Sequence, residues 1–314
     1  MELAIDAAGI ERRFGDFVAV DGVDLAVERG EIYGFLGPNG AGKSTTTRML
    51  CTLTTLTGGQ ASVAGYDVAQ QPGQVRLRIG AALQSAALDE MQTGTELLRQ
   101  QGRYYGLSRS RIDERLAELH GLIDIGEALD QRIKTYSGGM KRRVDLAAAL
   151  IHNPEVLFLD EPTTGLDPSS RAKVWEEVQR LNAELGTTIF LTTQYLEEAD
   201  ALADRVGIID HGRIIAEGTP AELKRSIGAD LIVLRVDDAA RAEPIVAAVP
   251  GIDAVEAQGD EILAATNDGP GHVSPIVVAL ADADVRVREL SLREPTLDDV
   301  FLTLTGQHLE GEAA

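Results

Sequence analysis

A glycine-rich stretch between an apolar run and a helix-like segment constrains the fold of this chain more than any other feature. Residues 37–44 read Gly-Pro-Asn-Gly-Ala-Gly-Lys-Ser and fit the pattern Gly-x-x-x-x-Gly-Lys-Ser/Thr. The strand-like run Ile32 to Leu36 precedes them, and the segment Ser44 to Leu53 is helix-like. In this setting the N–H groups of the loop and the positive end of the helix face one point, where a polyphosphate binds. A chance glycine-rich turn is the alternative, which the strand–loop–helix context disfavours.

The phosphate loop predicts the ligands of a nucleoside triphosphate. Lys43 adds a cation and Ser44 a Mg²⁺ ligand. The predicted nucleotide-binding residues of this loop are Gly37, Pro38, Asn39, Gly40, Ala41, Gly42, Lys43, Ser44 and Thr45.

Two adjacent carboxylates follow a second apolar run. Val156 to Leu159 leads directly into Asp160 and Glu161. Parallel strands that are buried on both faces have this composition and present ligand-binding residues at their carboxyl ends. We therefore expect Asp160 to hold Mg²⁺ and Glu161 to polarise the water that attacks the γ-phosphate. A solvated loop is the alternative, and the phosphate loop in the same chain weighs against it.

A second anion site is predicted upstream, where Ser137, Gly138 and Gly139 begin a helix-like segment. A hydroxyl, two backbone N–H groups and a helix dipole meet there. Together with the phosphate loop, the Asp-Glu pair and the later Gly165-Leu166-Asp167, this order of motifs resembles the ATP-binding-cassette (ABC) ATPases. The resemblance covers about Leu3 to Ile227. It implies an α/β fold with a parallel-sheet core, an antiparallel β subdomain and a helical insert at about residues 85–135.

The resemblance also assigns roles to six residues outside the phosphate loop. Phe14 matches the aromatic residue that stacks on adenine, and Gln84 matches the glutamine that senses Mg²⁺ and couples to the membrane subunit. Ser137, Gly138 and Gly139 match the signature loop that contacts the γ-phosphate bound by the opposite protomer, and Asp167 matches the loop that crosses the dimer interface. The resemblance thus implies ATP and Mg²⁺ as ligands, and a dimer of two copies or of two related ATPases.

Three positions depart from the family pattern. Tyr136 replaces a leucine and Met140 replaces a glutamine, which leaves the Ser-Gly-Gly site intact. Gln194 stands where the family places a histidine that contacts the γ-phosphate. A glutamine amide can donate that hydrogen bond but cannot become a cation. We therefore expect Gln194 to be a donor and Glu161 to be the catalytic base.

The segment Gln194 to Asp200 and the ending Arg293 to Phe301 resemble one branch, the daunorubicin-resistance-type ATP-binding subunits of drug exporters. This branch implies an ATPase that powers export of drugs or other hydrophobic small molecules through a separate membrane permease. Such a subunit would be cytoplasmic and peripheral on the inner face of the cell membrane. Two alternatives remain open: a soluble ABC ATPase not coupled to transport, and a regulatory ATP-binding subunit, which Gln194 favours and an intact Lys43, Asp160 and Glu161 disfavour.

Composition excludes several classes of protein. The chain has 314 residues, 44% of them hydrophobic, and is long enough for two globular domains. Its formal net charge of −21 disfavours binding to nucleic acid. The one cysteine, Cys51, allows no intrachain disulfide and is expected to be a small buried hydrophobe. No run approaches the length of a membrane span, and the start of the chain does not resemble a signal peptide.

A composition shift predicts a domain boundary near Gly228, which divides the chain into residues 1–227 and 228–314. Residues 231–314 carry 16 acidic and 5 basic residues and no lysine. Their pattern of strand, helix, two strands, helix and strand predicts a ferredoxin-like α+β domain, followed by a terminal helix from Leu297 that Thr296 and Asp299 cap. His272 is expected to lie in a loop without partners. We expect an accessory module, rather than a second active site.

The helical insert is the predicted docking surface for the permease. Its apolar and aromatic residues include Leu97, Leu98, Tyr104, Tyr105 and Leu107. Some of them must be exposed if a partner helix packs there. The alternative is that they form the core of the insert itself.

Overall fold

The computed structural model describes residues 2–83, 88–123, 126–228, 230–293 and 295–305. The chain divides into two compact units, one that ends at Pro220 and one that begins at Ala221. This division falls slightly before Gly228, and the predicted boundary near Gly228 stays a prediction.

The first unit contains two sheets. A four-stranded antiparallel sheet has the order β2-β1-β4-β5, and a six-stranded sheet has the order β10-β9-β3-β8-β7-β6. The strands are β1 (Leu3–Phe14), β2 (Phe17–Glu28), β3 (Ile32–Leu36), β4 (Gly58–Val63), β5 (Tyr66–Asp67), β6 (Ile79–Ala82), β7 (Val156–Asp160), β8 (Thr188–Thr193), β9 (Arg205–Asp210) and β10 (Arg213–Gly218).

The six-stranded sheet is parallel except at its β10 edge, where β10 pairs antiparallel with β9. Every residue of β3, β7 and β8 is buried, as expected for central strands covered on both faces. One core fills the space between the two sheets, and a second lies between the larger sheet and the helices. The predicted parallel core with an antiparallel β subdomain is confirmed.

Helices cover the larger sheet and form the insert. They are α1 (Lys43–Leu50), α2 (Pro72–Arg76), α3 (Gly94–Tyr104), α4 (Arg109–Leu122), α5 (Gly138–Leu150), α6 (Pro168–Leu185) and α7 (Leu196–Leu202). The next helix, α8 (Pro220–Ile227), begins the second unit. The insert comprises α3, α4 and two short 3₁₀ helices, Gly126–Asp130 and Ile133–Thr135. A capping box begins α3, because Thr93 and Glu96 each accept the backbone N–H of the other.

The second unit carries a four-stranded antiparallel sheet of order β12-β13-β11-β14. Its elements are β11 (Asp230–Val236), α9 (Ala239–Ala247), β12 (Ile252–Gln258), β13 (Glu261–Thr266), α10 (Gly269–Asp282), β14 (Val287–Arg293) and α11 (Leu297–Thr305). The chain order and the strand order together are those of a ferredoxin-like sandwich, so this prediction is confirmed.

Two local predictions in the second unit have different outcomes. Thr296 and Asp299 exchange hydrogen bonds at the start of α11, which confirms the capping box. The prediction for His272 is wrong: it lies in α10, and its Nδ1 is 2.6 Å from the Asp268 carbonyl and 3.1 Å from the Thr266 hydroxyl. The helix begins at Gly269, earlier than its apolar periodicity indicates, because Asp268 caps it.

Among the described residues, no helix is long and apolar enough to cross a membrane. Cys51 is buried, and burial raises the pKa of its thiol well above the ordinary value, as expected for a side chain that acts as a small hydrophobe.

Candidate functional site

The phosphate loop lies between β3 and α1, at the carboxyl edge of the parallel sheet. Gly40 and Gly42 have φ angles of 82° and 112°, which favour glycine. Gly37 has no room for a side chain, because a Cβ there would lie 2.2 Å from the Ile209 carbonyl oxygen. The glycines therefore set both the turn and the close approach to the neighbouring strand.

Lys43 is buried at the centre of this loop. Its Nζ donates to the carbonyl oxygens of Gly37, at 2.7 Å, and Pro38, at 3.1 Å, and lies 3.5 Å from Glu161 Oε1. Burial lowers the pKa of Lys43, and the nearby carboxylates of Glu161 and Asp160 oppose that change. The ammonium is therefore held beside the position of a bound phosphate chain by the loop and by the candidate catalytic base.

Ser44 and Asp160 meet, although they are far apart in sequence. Ser44 Oγ donates to Asp160 Oδ1 at 3.1 Å, and Thr192 Oγ1 donates to the same oxygen at 2.5 Å. A hydroxyl and a carboxylate are oxygen ligands of the kind that Mg²⁺ takes, usually with water and substrate phosphates completing its shell. No group of three or more His, Cys, Asp or Glu residues forms a metal cage in the part of the chain that the structure describes. The Ser44–Asp160 pair therefore fits Mg²⁺ bound together with a nucleotide.

Glu161 has a strained backbone. Its φ is 49°, in the left-handed region that a non-glycine residue rarely adopts. Its N–H donates to the carbonyl and to the hydroxyl of Thr192, at 3.0 and 3.1 Å, which holds the residue in this conformation. Such strain costs about 1–3 kcal/mol and concentrates at functional sites, where the surrounding structure fixes it. In this backbone conformation the Glu161 carboxylate points towards Lys43.

A cavity of about 300 Å³ opens beside the phosphate loop. Most of the predicted nucleotide-binding residues of the loop line it, together with Glu161. The lining residues are Phe17, Ala19, Pro38, Asn39, Gly40, Gly42, Lys43, Ser44, Thr45 and Glu161. Gly37 and Ala41 are not among these described lining residues, although Gly37 accepts from Lys43 and Ala41 is buried.

The aromatic residue on this cavity is Phe17, which sequence reasoning missed. Phe14 and Phe17 are paired across the β1–β2 hairpin, and both are exposed. Phe17 lines the cavity, whereas the Arg12 guanidinium covers the Phe14 ring at 4.4 Å from its centroid. The signal in the sequence is that only Gly15 and Asp16 separate the two rings, so a tight hairpin presents both. The stacking role of Phe14 stays a prediction.

Gln194 directly follows β8, at the same edge of the sheet as the phosphate loop. In the parallel register, Thr192 pairs with Asp160 and Thr193 with Leu36. The half-buried Gln194 therefore lies where β3, β7 and β8 end together. Gln84, the predicted Mg²⁺ sensor, lies outside the described residues.

In the signature loop, Ser137 and Gly138 are exposed and Gly139 is half-buried. Ser137 caps α5, since its Oγ accepts the N–H of Met140 at 3.2 Å. The substituted Tyr136 is buried, and its hydroxyl donates to the Ala128 carbonyl at 2.5 Å. Gly94 leaves the space for this ring, because a Cβ there would lie 2.8 Å from the tyrosine oxygen. The departure at Tyr136 thus has its own hydrogen-bond partner, and the anion-binding role of Ser137 stays a prediction.

Asp167 caps α6. Its carboxylate accepts the N–H of Ser170 at 3.0 Å and the Ser170 hydroxyl at 2.6 Å, and these hydrogen bonds lower its pKa. The side chain is exposed on the loop that follows Glu161. Its assigned role at a dimer interface stays a prediction.

Arg142, which the sequence analysis did not single out, joins three parts of the site. From α5, its guanidinium donates to the carbonyls of Pro162, at 3.0 Å, and of Leu83, at 3.0 Å, just before Gln84. It also pairs with Asp145 at 3.2 Å. The signature helix is thereby connected to the loop after Glu161 and to the end of β6. A largely buried arginine near the start of a polar helix gives little sequence signal.

Comparisons with known proteins identify the family and the fold. A family model described as ABC transporter matches residues 20–164, and one described as the C-terminal domain of DrrA1-3-like ATP-binding proteins matches residues 218–305. Over 306 residues the chain is 49% identical to the daunorubicin/doxorubicin resistance ATP-binding protein DrrA of Streptomyces peucetius, and the alignment covers 96% of this chain and 92% of that protein. The chain belongs to the family of ABC transporter ATP-binding proteins.

Further relatives and structures extend the comparison. The chain is 40% identical to the Nod factor export ATP-binding protein I of Rhizobium sp. (strain N33), with 98% of this chain and 99% of that protein aligned. A solved structure of an ATP-binding subunit of an ABC transporter superposes with a TM-score of 0.64 at 29% identity, over 72% of this chain and 93% of that one. The predicted family and fold are confirmed. This ABC ATPase binds ATP and couples its hydrolysis to transport.

Proposed function

We propose that this ABC ATPase powers the export of drugs or other hydrophobic small molecules by driving a separate integral-membrane permease. The observation that carries the proposal is the convergence of Lys43, the Ser44–Asp160 pair and Glu161 on one cavity. The named functions of relatives support it, since the drug-resistance and Nod factor export proteins align with this chain over almost its whole length, including the C-terminal domain. These comparisons give no support to a soluble or purely regulatory ATPase.

Different residues of this chain have different roles in ATP hydrolysis. Lys43 and the loop N–H groups bind the β- and γ-phosphates, and Glu161 accepts a proton from the attacking water. Gln194 donates a hydrogen bond to the γ-phosphate from the end of β8. Ser44 and Asp160 would hold Mg²⁺, which would supply positive charge beside the bound phosphates.

We further propose that two protomers, either two copies or this chain with a related ABC ATPase, share each ATP. Ser137 and Asp167 are both exposed, so they are accessible to a second protomer. The Ser137-Gly138-Gly139 site at the start of α5 would contact the γ-phosphate held by the opposite Lys43. Closing the dimer around ATP and opening it after hydrolysis would drive the permease.

The permease docks, in this proposal, on a groove beside the helical insert. A cavity of about 280 Å³ lies there, lined by residues of α2, the sheet, the insert, α5 and the segment after α1. These residues are Cys51, Leu53, Arg76, Ile79, Ala81, Gln101, Tyr105, Asp145, Ala148 and Ala149. The residues expected to dock divide into two groups. Leu97 and Leu98 are buried core, whereas Tyr104 is exposed and Tyr105 lines the groove, where its ring stacks on His152 at 3.6 Å.

Residues 228–314 form an accessory module in this proposal, and the ATPase acts at the inner, cytoplasmic face of the cell membrane through its permease. The groove and the module have different roles in this proposal. The groove transmits the movement of the ATPase to the permease, and the acidic module supports assembly or regulation.

Transport into inverted membrane vesicles tests the proposal. The chain would be co-expressed with the multi-span membrane protein with which it co-purifies, and Mg·ATP-dependent accumulation of daunorubicin would be measured. We expect accumulation with the wild type and with the control Lys173→Met, whose lysine is exposed on α6, and none with Glu161→Gln. Equal accumulation by wild type and Glu161→Gln would contradict the proposal.

A further inference from the structure

The buried carboxylate of Glu198 connects α7 with the loop that follows Glu161 and with α6. Glu198 lies in α7, and its side chain has no exposed surface. Its Oε1 accepts a hydrogen bond from Thr163 Oγ1 at 2.8 Å and another from Trp175 Nε1 at 2.9 Å. Thr163 lies on the loop that runs from Glu161 to Asp167, and Trp175 lies in α6, which follows that loop.

The helix that carries Glu198 begins directly after the segment that carries Gln194. The Thr193 hydroxyl accepts the N–H of Tyr195 at 2.9 Å, which fixes the turn from β8 into α7. Glu198 lies in the first turn of that helix, four residues after Gln194. Its side chain thus holds the Glu161-to-Asp167 loop and α6 against the start of the helix that follows the Gln194 turn.

The burial of Glu198 makes these contacts interdependent. Burial raises the pKa of Glu198, and the hydrogen bonds from Thr163 and Trp175 oppose that rise. A buried carboxylate is costly unless several donors satisfy it. If one segment moved alone, it would leave both the carboxylate and its own donor unpaired in a buried site. A joint movement retains the hydrogen bonds.

We propose that Glu198 is a positioning residue that makes the Glu161-to-Asp167 loop and the Gln194 turn move together when nucleotide binds, and that the Trp175 indole reports this movement. Glu198 itself does not touch the nucleotide cavity. It acts by fixing the position of Glu161 relative to Gln194.

Fluorescence of the full-length chain tests this directly, because Trp175 is the only tryptophan in the sequence. Mg·ATP would be added to a Glu161→Gln background, which keeps the triphosphate intact. We expect a saturable change in Trp175 emission. The same titration with Thr163→Val added should give a smaller change at similar ATP affinity, because the loop has lost its bond to Glu198. Absence of any nucleotide-dependent change in the Glu161→Gln background would overturn the proposal.

Turnover provides the second readout. In the otherwise wild-type chain, Thr163→Val and Glu198→Gln should each lower kcat about tenfold, the order expected for weakening one hydrogen bond to a charged group, with KM for ATP changed less than about twofold. Thr163→Ser restores the hydroxyl and should restore kcat. Glu197→Gln is the matched control, since Glu197 is the exposed neighbour on the same helix, and it should behave as wild type. Wild-type kcat in both Thr163→Val and Glu198→Gln, or failure of Thr163→Ser to restore turnover, would overturn the positioning role.

Discussion

Replacing Lys43 by methionine should separate ATP binding from folding. Methionine is similar in length and apolar, so it fills the space of the lysine stem without the ammonium. In the structure that ammonium makes two hydrogen bonds to loop carbonyls and lies 3.5 Å from Glu161 Oε1. These contacts would be lost together with the cation that faces the phosphates.

The structure gives the expected magnitudes. The lost hydrogen bonds are charge-assisted, but burial of the ammonium opposes them, as the lowered pKa of Lys43 shows. Pro38 and Glu161 line an open cavity, so water can replace part of what is lost. We therefore expect the free energy of unfolding to fall by only about 1–2 kcal/mol. Loss of one charged contact to phosphate, worth about 1.5–3 kcal/mol, should weaken ATP binding by about 10- to 150-fold.

Two assays on the same protein check this prediction. Titration with a fluorescent ATP analogue gives the affinity, and urea unfolding gives the stability. Lys173→Met, which removes an exposed lysine from α6, should change neither. Wild-type ATP affinity in Lys43→Met would refute the assignment of Lys43 to the phosphates. A large loss of stability with equal loss of binding would show that the lysine is structural.

Three further predictions concern the cavity, the end of β8 and the half-buried His152. Phe17→Ala should weaken binding of ATP more than Phe14→Ala, because Phe17 lines the cavity; equal effects in a competition assay would contradict this. Gln194→Ala should slow single-turnover hydrolysis at saturating ATP by an amount equivalent to about 1.5–3 kcal/mol, whereas Gln194→His should retain much of the rate. Burial lowers the pKa of His152 from 6.5 to about 4. The unfolded chain therefore binds this proton first, so stability should fall as the pH drops from 6.5 towards 4, and the decline measured by urea unfolding should be shallower in His152→Gln.

The sequence motifs predicted which residues lie at the carboxyl edge of the parallel sheet, because each motif implies the strand or helix that flanks it. A phosphate loop fixes a strand and a helix on either side, and an apolar run followed by Asp160 fixes a second strand in the same sheet. Ser44 and Asp160 therefore had to meet, and they do. The ferredoxin-like unit was predictable for a similar reason, since its alternation of strands and helices allows few topologies.

The structural features that the sequence did not predict depend on contacts between side chains that are distant in sequence. Nothing local indicates that Tyr136 bonds to the Ala128 carbonyl, or that Glu198 accepts from Thr163 and Trp175. The insert is a further example: helical spacing places Leu97 and Tyr104 in one amphipathic segment, but only packing decides that the first is buried and the second exposed. The ring of Phe17 was missed because its role arises from the hairpin tip rather than from a motif.

Single-turnover hydrolysis by Glu161→Gln tests the central claim most directly. The amide keeps the size of the side chain but cannot accept a proton from water, so ATP affinity should stay within a few-fold of wild type while the hydrolysis rate falls by about 10²- to 10⁴-fold. Quenched-flow measurement with excess enzyme would give the rate, and the fluorescent analogue would give the affinity. Tight ATP binding with almost no hydrolysis is the predicted result. Hydrolysis near the wild-type rate would show that Glu161 is not the base and would contradict the mechanism built on it.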